Sequence, residues 1–299
     1  MLILHKKWRL ESKNLARSFF IEILYTSICH TDLGAWKGEN ESQRAFPRIL
    51  GHEVAGIVES VGEGVLDIKE GDHVIPIFNG ESVGLWGIAS QRRLIHLCQE
   101  LEPRRTLQTL KKWVKSSNIW SWCSRTCGCF QAASGARARG ASRIIGIDIN
   151  KDKFIKGQTM GMTHFINPKD LKRPVHEEIR ELTDGGVDYS FECAGNLDVL
   201  REAFLSTHDG WGMTIILGIH PTPRMMPLHP MEFFDGRRIT GTVFGDFKGK
   251  TQLPQFAEEC MRGAVNLDEF ITHELPFSKI NEAFQLLIEG KSLRCILEL

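Results

Sequence analysis

Apolar runs alternate with segments of helical spacing along the second half of this chain, and that alternation constrains its fold most. We predict strands at residues 143–149, 163–166, 188–193, 213–218 and 239–244. Residues 175–182 and 197–207 have the apolar spacing of helices. Strands and helices that alternate at this interval form βαβ units, so the pattern predicts an α/β fold with a parallel sheet.

The first part of the chain has a different pattern. Residues 56–61 and 73–78 are apolar and β-branched, and a turn rich in glycine and charge separates them. This is typical of short strands in an antiparallel unit. Near the end, residues 280–287 have helical spacing and residues 295–299 have a strand-like pattern.

Composition argues against several classes of function. The chain has 299 residues, with 37 basic and 37 acidic ones, so a nucleic-acid partner is not expected. It has no apolar run of eighteen residues, and we expect no membrane span. The first residues lack the apolar core of a secretory signal. Eight cysteines without regular pairing suit a reducing compartment, so we expect a cytoplasmic protein.

Two neighbouring motifs place metal-binding side chains close together in sequence. Cys29 begins the segment Cys-His-Thr-Asp, and His52 and Glu53 lie in the segment Gly-His-Glu-Val-Ala-Gly. Thiolate and imidazole are zinc ligands, and a site with fewer than four protein ligands keeps a position open for water or substrate. Taken singly, a buried cysteine is more often a small hydrophobe, and a histidine beside glycine is more often structural.

These motifs resemble those of a known family. Residues 23–78 are similar to the catalytic domain of zinc-dependent medium-chain alcohol dehydrogenases, closest to the plant alcohol dehydrogenase-like branch. The pattern Gly-His-Glu-x-x-Gly followed by residues 61–65 (Val-Gly-Glu-Gly-Val) is highly specific. Residues 135–299 resemble the rest of the family. The resemblance implies a GroES-like β-rich catalytic domain and a Rossmann domain, which is a doubly wound parallel sheet.

The resemblance divides the chain into four segments. Residues 1–81 match part of the catalytic zinc domain, and residues 135–245 match the NAD-binding Rossmann domain. Residues 246–299 return to the catalytic domain in this family, and residues 82–134 match nothing in it. Residues 239–244 resemble the edge strand through which the family forms homodimers.

The resemblance also implies a reaction and a set of roles. The family interconverts small-molecule alcohols with aldehydes or ketones by using NAD. Cys29 and His52 would hold a catalytic zinc ion, with Glu53 close by. Thr31 fits a hydroxyl proton relay, although threonine also caps turns and helices. Asp32 would orient a ligand imidazole.

Further residues match the cofactor site of the family. Asp148 follows a predicted strand, where a carboxylate binds the ribose hydroxyls of NAD, but aspartate also caps helices. Lys153 would assist in binding the adenosine side of NAD; the alternative is an exposed, solvated lysine. His30 matches a position near the pyrophosphate, and Gly34 occurs where some members carry a relay histidine. Arg294 matches a residue that reaches the cofactor phosphates; the alternative is a surface cation.

Between residues 82 and 134 the composition is unusual. A short stretch contains several tryptophans and cysteines, namely Trp113, Trp120, Trp122, Cys123, Cys127 and Cys129. An aromatic core segment or an incomplete metal or redox module would explain them, but the Cys-x-x-Cys pairs of compact zinc sites are missing.

The genetic code offers a third interpretation. Tryptophan has one codon, and a shift of one base turns it into glycine. With compatible codons the shift gives a strand followed by Gly-x-Gly-x-x-Gly, with Trp120, Trp122 and Arg125 at the glycine positions. The code forces the glycines at Trp120 and Trp122, whereas it only permits the one at Arg125. We therefore interpret the chain as truncated and frame-shifted between about residues 82 and 130, where we expect irregular structure.

Several losses follow from this interpretation. The structural zinc loop of the family is absent, and the third catalytic zinc ligand has no clear counterpart; Cys98 is the nearest candidate. We expect very weak NAD binding and doubtful activity. A non-catalytic dehydrogenase remnant from a defective gene model is the alternative, and a relative of glutathione-linked formaldehyde dehydrogenase is another. The sequence does not indicate which alcohol is the substrate.

Overall fold

A computed structural model describes the chain in several ranges. These are residues 7–10, 19–39, 46, 49–66, 68–76, 94–96, 125–220, 224–226, 228–242, 245, 249–263 and 267–299. The chain divides into two compact units. The first contains residues 1–121 and 244–299, and the second contains residues 122–243. The four-segment division expected from the sequence stays a prediction.

Twelve strands occur within the described residues. They are β1 (Lys7–Leu10), β2 (Phe19–Ser27), β3 (Val54–Val61), β4 (His73–Pro76), β5 (Leu94–His96), β6 (Ile145–Ile147), β7 (His164–Ile166), β8 (Tyr189–Glu192), β9 (Met213–Ile216), β10 (Arg238–Gly241), β11 (His273–Pro276) and β12 (Cys295–Glu298).

Eight α-helices occur in the same part of the chain. They are α1 (His30–Lys37), α2 (Arg125–Ala138), α3 (Asp152–Thr159), α4 (Val175–Leu182), α5 (Leu197–Leu205), α6 (Met231–Phe234), α7 (Gly249–Met261) and α8 (Ile280–Ile288). Short 3₁₀ turns lie at Pro168–Asp170, Asp268–Phe270 and Phe277–Lys279. No helix in the described ranges is long and apolar enough to cross a membrane.

The first unit is built on a mixed sheet. Its order is β11-β12-β2-β3-β4-β5, and β1 also pairs with β2. The β2–β3, β3–β4 and β4–β5 pairs are antiparallel, whereas β11 runs parallel to β12. The antiparallel strands predicted at 56–61 and 73–78 are confirmed up to residue 76, and the last two residues lie outside the described ranges.

Strand β2 has neighbours on both sides in the sheet. Phe19, Ile21 and Ile23 are at alternate positions and are buried in one apolar cluster, whereas Tyr25 is buried in another. The pairing of β2 with β3 shifts between Ile23 and Tyr25, where the buried residues change cluster. Gly56 on β3 lets the strands approach closely, because an added Cβ would collide with the carbonyl oxygen of Glu22.

The second unit contains two parallel sheets, in the orders β10-β9-β8 and β6-β7. The α/β class with parallel sheets, predicted from the alternation of apolar runs and helical spacing, is confirmed. Helix α5 packs on strands β8 and β9 of the three-stranded sheet. Its Leu200 and Phe204 are buried and lie four residues apart on one helix face.

The expectation of irregular structure between about residues 82 and 130 is wrong in two places. Leu94–His96 pairs with β4 through backbone hydrogen bonds, which need no particular side chains. Arg125–Ala138 is helical, and Phe130 and Ala133 are buried three residues apart, as on one face of a helix. The rest of the segment lies outside the described ranges, as do Cys98, Trp113, Trp120 and Trp122.

Candidate metal centre

Cys29 is fixed at the start of helix α1. Its backbone N–H donates to Asp32 Oδ2 at 3.1 Å, and the backbone N–H groups of Asp32 and Leu33 donate to its carbonyl oxygen. The thiol is 1% exposed. The start of a helix carries partial positive charge, which favours a thiolate at this place.

His52 and Glu53 immediately precede strand β3, and hydrogen bonds tie them to the end of β2. Thr26 Oγ1 donates to the carbonyl oxygen of Glu53 at 3.0 Å, and the backbone N–H of Ser27 donates to the same oxygen at 3.1 Å. Because Cys29 follows Ser27 by two residues, this pairing brings the two motifs together.

The three candidate metal ligands converge. One donor atom from each of Cys29, His52 and Glu53 lies within 4.8 Å of the other two. His52 Nε2 is 3.7 Å from Glu53 Oε1, and the Glu53 side chain is almost completely buried. Thiolate, imidazole and carboxylate are zinc donors, so the residues present fit this ion. Elsewhere in the described ranges no other group of three such side chains converges.

Asp32 lies behind the imidazole, where the sequence predicted an orienting carboxylate. Its Oδ1 is 3.2 Å from His52 Nδ1 and accepts from the backbone N–H of Gly51 at 3.0 Å. A hydrogen bond from Nδ1–H to this oxygen leaves Nε2 as the metal-binding nitrogen.

The pKa values of Cys29 and His52 are both raised, which indicates that the cluster attracts positive charge. Burial and the neighbouring Glu53 raise the pKa of the Cys29 thiol. Burial acts against the imidazolium of His52, but its contacts with Asp32, Cys29 and Glu53 raise its pKa to about 11. The raised pKa values of Cys29 and His52 mean that these two groups hold their protons more strongly than usual when no cation is bound, as expected for groups arranged around a metal ion.

Arg294 belongs to this cluster. The side chain is 2% exposed, and its Nη1 donates to Glu53 Oε2 at 3.0 Å. The alternative of a surface cation is therefore wrong for Arg294. Its predicted contact with cofactor phosphates stays a prediction.

Ser27 was not among the residues predicted from the sequence. Its hydroxyl donates to Glu53 Oε2, the same oxygen that Arg294 contacts. No signal in the sequence distinguishes it, because a serine at the end of a strand is commonplace.

Besides Asp32, helix α1 carries Thr31, His30 and Gly34. The Cys29 thiol donates to Thr31 Oγ1, with 3.6 Å between sulfur and oxygen, so Thr31 is next to the candidate metal site. The N-cap of α1 is Cys29, which excludes the helix-cap alternative for Thr31. His30 is the first residue of the helix and is half-buried, and Gly34 lies in its middle.

Asp148 directly follows strand β6 in the second unit, as predicted. Its Oδ1 accepts from the backbone N–H of Asn150 at 2.8 Å, and its Oδ2 is 3.0 Å from Lys153 Nζ. The N-cap of helix α3 is Lys151, so the helix-cap alternative for Asp148 is wrong. The carboxyl end of a parallel strand is where doubly wound folds bind the ribose of a dinucleotide.

The metal or redox module suggested by Cys123, Cys127 and Cys129 lies mostly outside the described ranges. Cys123 and the side chain of Cys127 lie outside the described ranges, as does the side chain of Arg125. Cys129 is in hydrogen-bonding contact with Cys193 after β8, which lowers the pKa of Cys129 although burial raises it.

Comparison with known proteins matches both halves of this architecture. Residues 16–98 match the alcohol dehydrogenase GroES-like domain, and residues 130–261 match the zinc-binding dehydrogenase domain. "Alcohol dehydrogenase-like 3" of Arabidopsis thaliana is 51% identical, covering 93% of this chain and 89% of that protein. The chain belongs to the zinc-dependent alcohol dehydrogenase family. By family it is an oxidoreductase that acts on small-molecule alcohols.

Other relatives support the same assignment. "Alcohol dehydrogenase-like 4" of Arabidopsis thaliana is 46% identical, covering 93% of this chain and 90% of that protein. The zinc-dependent alcohol dehydrogenase 2 of Streptococcus pneumonia, solved in its apo form, has a TM-score of 0.77. It is 20% identical, and the similarity covers 99% of this chain and 94% of that one, which shows a shared fold.

The alignments also bear on the predicted truncation. The match to alcohol dehydrogenase-like 3 extends over 352 residues, which exceeds the 299 residues of this chain. This chain therefore lacks residues that the relative has inside the aligned region. Where in the chain these residues are missing stays a prediction.

Proposed function

We propose that this chain is built as a zinc-dependent, NAD-linked oxidoreductase that interconverts an alcohol with its aldehyde or ketone, and that NAD binding and turnover are very weak in the chain as it stands. One observation carries the proposal: the thiol of Cys29, the imidazole of His52 and the carboxylate of Glu53 converge within 4.8 Å. These groups would hold zinc, which supplies a Lewis acid that polarises an alcohol oxygen and lowers its pKa.

The neighbouring side chains have roles that follow from their positions. Asp32 holds His52 so that Nε2 is directed to the metal site. Thr31 Oγ1 lies beside the Cys29 sulfur and is the candidate hydroxyl for moving the substrate proton away from the site. Gly34 has no side chain to continue such a relay.

The second unit supplies the candidate cofactor site. The carboxylate of Asp148 suits the two ribose hydroxyls of NAD, and Lys153 is already paired with it. His30 and Arg294 are the candidates for the cofactor phosphates by family resemblance. The edge position of β10 supports a homodimer formed by strand addition. A cytoplasmic location is also part of the proposal.

A non-catalytic remnant is the second candidate function. The observation in its favour is the sequence at the fingerprint positions, where Trp120, Trp122 and Arg125 replace glycines. Side chains there block the close approach of backbone N–H groups to a pyrophosphate. A remnant of this kind would still bind zinc but would not bind NAD.

Metal content of the purified full-length chain tests the zinc proposal. We expect one zinc ion per chain, which Cys29→Ser removes. Cys260→Ser is the matched control, because Cys260 is a buried thiol of the same unit that is not part of the candidate site. A wild-type chain without zinc, or equal zinc content in both variants, would contradict the proposal. Alcohol-dependent NADH formation then separates the enzyme from the remnant.

A further inference from the structure

Two cysteines of the second unit lie against each other, away from the candidate metal centre. Cys129 is on helix α2, and Cys193 directly follows strand β8, which contacts this helix. The two side chains are in hydrogen-bonding contact. A Cβ built on Gly128, the residue before Cys129, would lie 3.9 Å from Cys193 Sγ. The packing of helix on strand therefore holds two thiols side by side, as the formation of a disulfide requires.

The same two thiols are within reach of solvent. Among the cysteines whose side chains the structure describes, Cys29, Cys260 and Cys295 are buried, whereas Cys129 and Cys193 are half-buried. Fully buried thiols in apolar surroundings are inert, and reactive thiols are partly exposed. A small reagent can therefore meet this pair without unfolding the protein.

The surroundings of Cys129 favour its thiolate form. Contact with Cys193 is the largest influence and lowers the pKa of Cys129, and the ammonium group of Lys153 acts in the same direction. Burial and the carboxylate of Asp148 oppose this effect, but the pKa is lowered overall. The Cys193 thiol also donates to the carbonyl oxygen of Phe191, with 3.9 Å between sulfur and oxygen. Because the thiolate is the nucleophile in thiol–disulfide exchange, Cys129 is the thiol that reacts first.

We propose that Cys129 and Cys193 are a redox-sensitive thiol pair, which a small-molecule disulfide such as glutathione disulfide oxidises to a disulfide bond. The Cys129 sulfur attacks one sulfur of the reagent, and the first glutathione leaves as a thiol with the proton that Cys129 has lost. The Cys193 sulfur then attacks the Cys129 sulfur, and the second glutathione leaves with the proton from Cys193. The protein loses two electrons and two protons, and the two released thiols carry them.

This bond would be a reversible modification and not a structural staple. In the reducing compartment proposed for this chain, a protein disulfide is usually transient and responds to the redox state. The bond would join α2 to the carboxyl end of β8 inside one compact unit. It needs neither zinc nor NAD, so the inference goes beyond the proposed function.

Peptide mapping of the full-length chain tests the pair. The reduced protein is incubated with glutathione disulfide, the remaining thiols are blocked with N-ethylmaleimide, and the chain is cut with trypsin. Cleavage after arginine releases residues 126–137, which contain Cys129, and residues 181–201, which contain Cys193. We expect mass spectrometry to find these two peptides linked in most of the chains, and dithiothreitol to release the link.

Three variants identify the cysteines, because residues 126–137 also contain Cys127. Cys129→Ser and Cys193→Ser should both abolish the link, whereas Cys127→Ser is the matched control and should keep it. Unfolding gives a second measurement, since a cross-link restricts the unfolded chain. Oxidation should raise the denaturation midpoint of wild type and of Cys127→Ser, and should leave Cys129→Ser unchanged. Circular dichroism checks that each variant is folded, and mapping of the wild-type chain stands even where a variant is not.

The contrary outcomes are equally specific. A link to residues 181–201 that persists in Cys129→Ser and disappears in Cys127→Ser would overturn the assignment to Cys129. Wild-type protein that forms no link, or only mixed disulfides with glutathione, would show that the two sulfurs do not form a bond. Either result would leave the zinc proposal intact, because metal content tests that proposal separately.

Discussion

Arg294 Nη1 donates to Glu53 Oε2 at 3.0 Å, although 241 residues separate them in sequence. Both side chains are almost completely buried, and each lies directly before a strand of the same sheet. The pair therefore joins the C-terminal part of the first unit to the candidate metal centre.

Replacing Arg294 by methionine should destabilise the first unit strongly. The change leaves the Glu53 carboxylate buried without its cation, and breaking a buried pair typically costs about 3–5 kcal/mol. Chemical denaturation of the metal-free protein measures the effect. Arg262→Met is the control, because it breaks an exposed ion pair with Glu258. It should change the free energy of unfolding by no more than about 1 kcal/mol. Equal unfolding midpoints for the two variants would refute the structural role of Arg294.

Asp32→Asn should weaken zinc binding by about 10- to 100-fold, because the neutral amide no longer holds the imidazole by a charge-assisted hydrogen bond. Chelator competition provides the measurement. Asp72→Asn is the control, since Asp72 is also buried in the first unit but accepts from the backbone N–H of Lys69. If both variants bind zinc equally well, the orienting role of Asp32 is wrong.

Gly56→Ala should destabilise the first unit by about 1–3 kcal/mol, because the new Cβ overlaps the backbone of Glu22 on β2. Gly34→Ala is the control. The nearest atom to its added Cβ is Glu39 Oε2 at 3.4 Å, an ordinary contact, and alanine favours helix, so stability should be unchanged or higher. Thermal unfolding of both variants and of wild type measures the change in stability. A G56A protein as stable as wild type would show that the strands can separate without loss.

The pair between Glu232 and Arg201 should make the second unit sensitive to acid. Hydrogen bonds with Arg201 lower the pKa of Glu232 to about 2, against the effect of burial. A carboxylate with a lowered pKa contributes stability above its unfolded pKa, near 4.5, and loses it as the pH falls toward 2.

Glu232→Gln removes this contribution. The difference in unfolding free energy between wild type and variant should be largest above about pH 5 and should shrink as the pH falls toward about 3. Denaturation at a series of pH values measures it. Glu258→Gln is the control, because Glu258 forms an exposed ion pair with Arg262. Its effect on the free energy of unfolding should change little with pH. A difference that grows on acidification would contradict the assignment.

NAD binding should be very weak in this chain. The sequence has two indoles and a guanidinium, from Trp120, Trp122 and Arg125, at positions where backbone N–H groups meet a pyrophosphate. Titration with NAD, and alcohol-dependent NADH formation with added zinc, measure the effect. Replacing all three residues by glycine should raise affinity. Robust turnover by the unaltered chain would show that the frame-shift interpretation is wrong.

The periodicity of the sequence was sufficient for some of the regular elements. Alternating apolar residues predicted β3 and β4, and the helical spacing of residues 175–182 matches α4, because local burial patterns depend on neighbours in sequence. The expectation of irregular structure was wrong for α2, where Phe130 and Ala133 are buried three residues apart. From residue 130 onward the chain matches the zinc-binding dehydrogenase domain, so these residues have the pattern of a family helix.

The sequence by itself determined the donor types, since Cys29, His52, Glu53 and Asp32 lie in two short motifs whose chemistry indicates zinc. Only the tertiary structure decided how those donors are held. Pairing of β2 with β3 brings Ser27 to Glu53, and the register of β12 beside β2 brings Arg294 to the same oxygen. A hydrogen bond depends on distance in space and not in sequence, so contacts across 26 and 241 residues could not be predicted from local patterns.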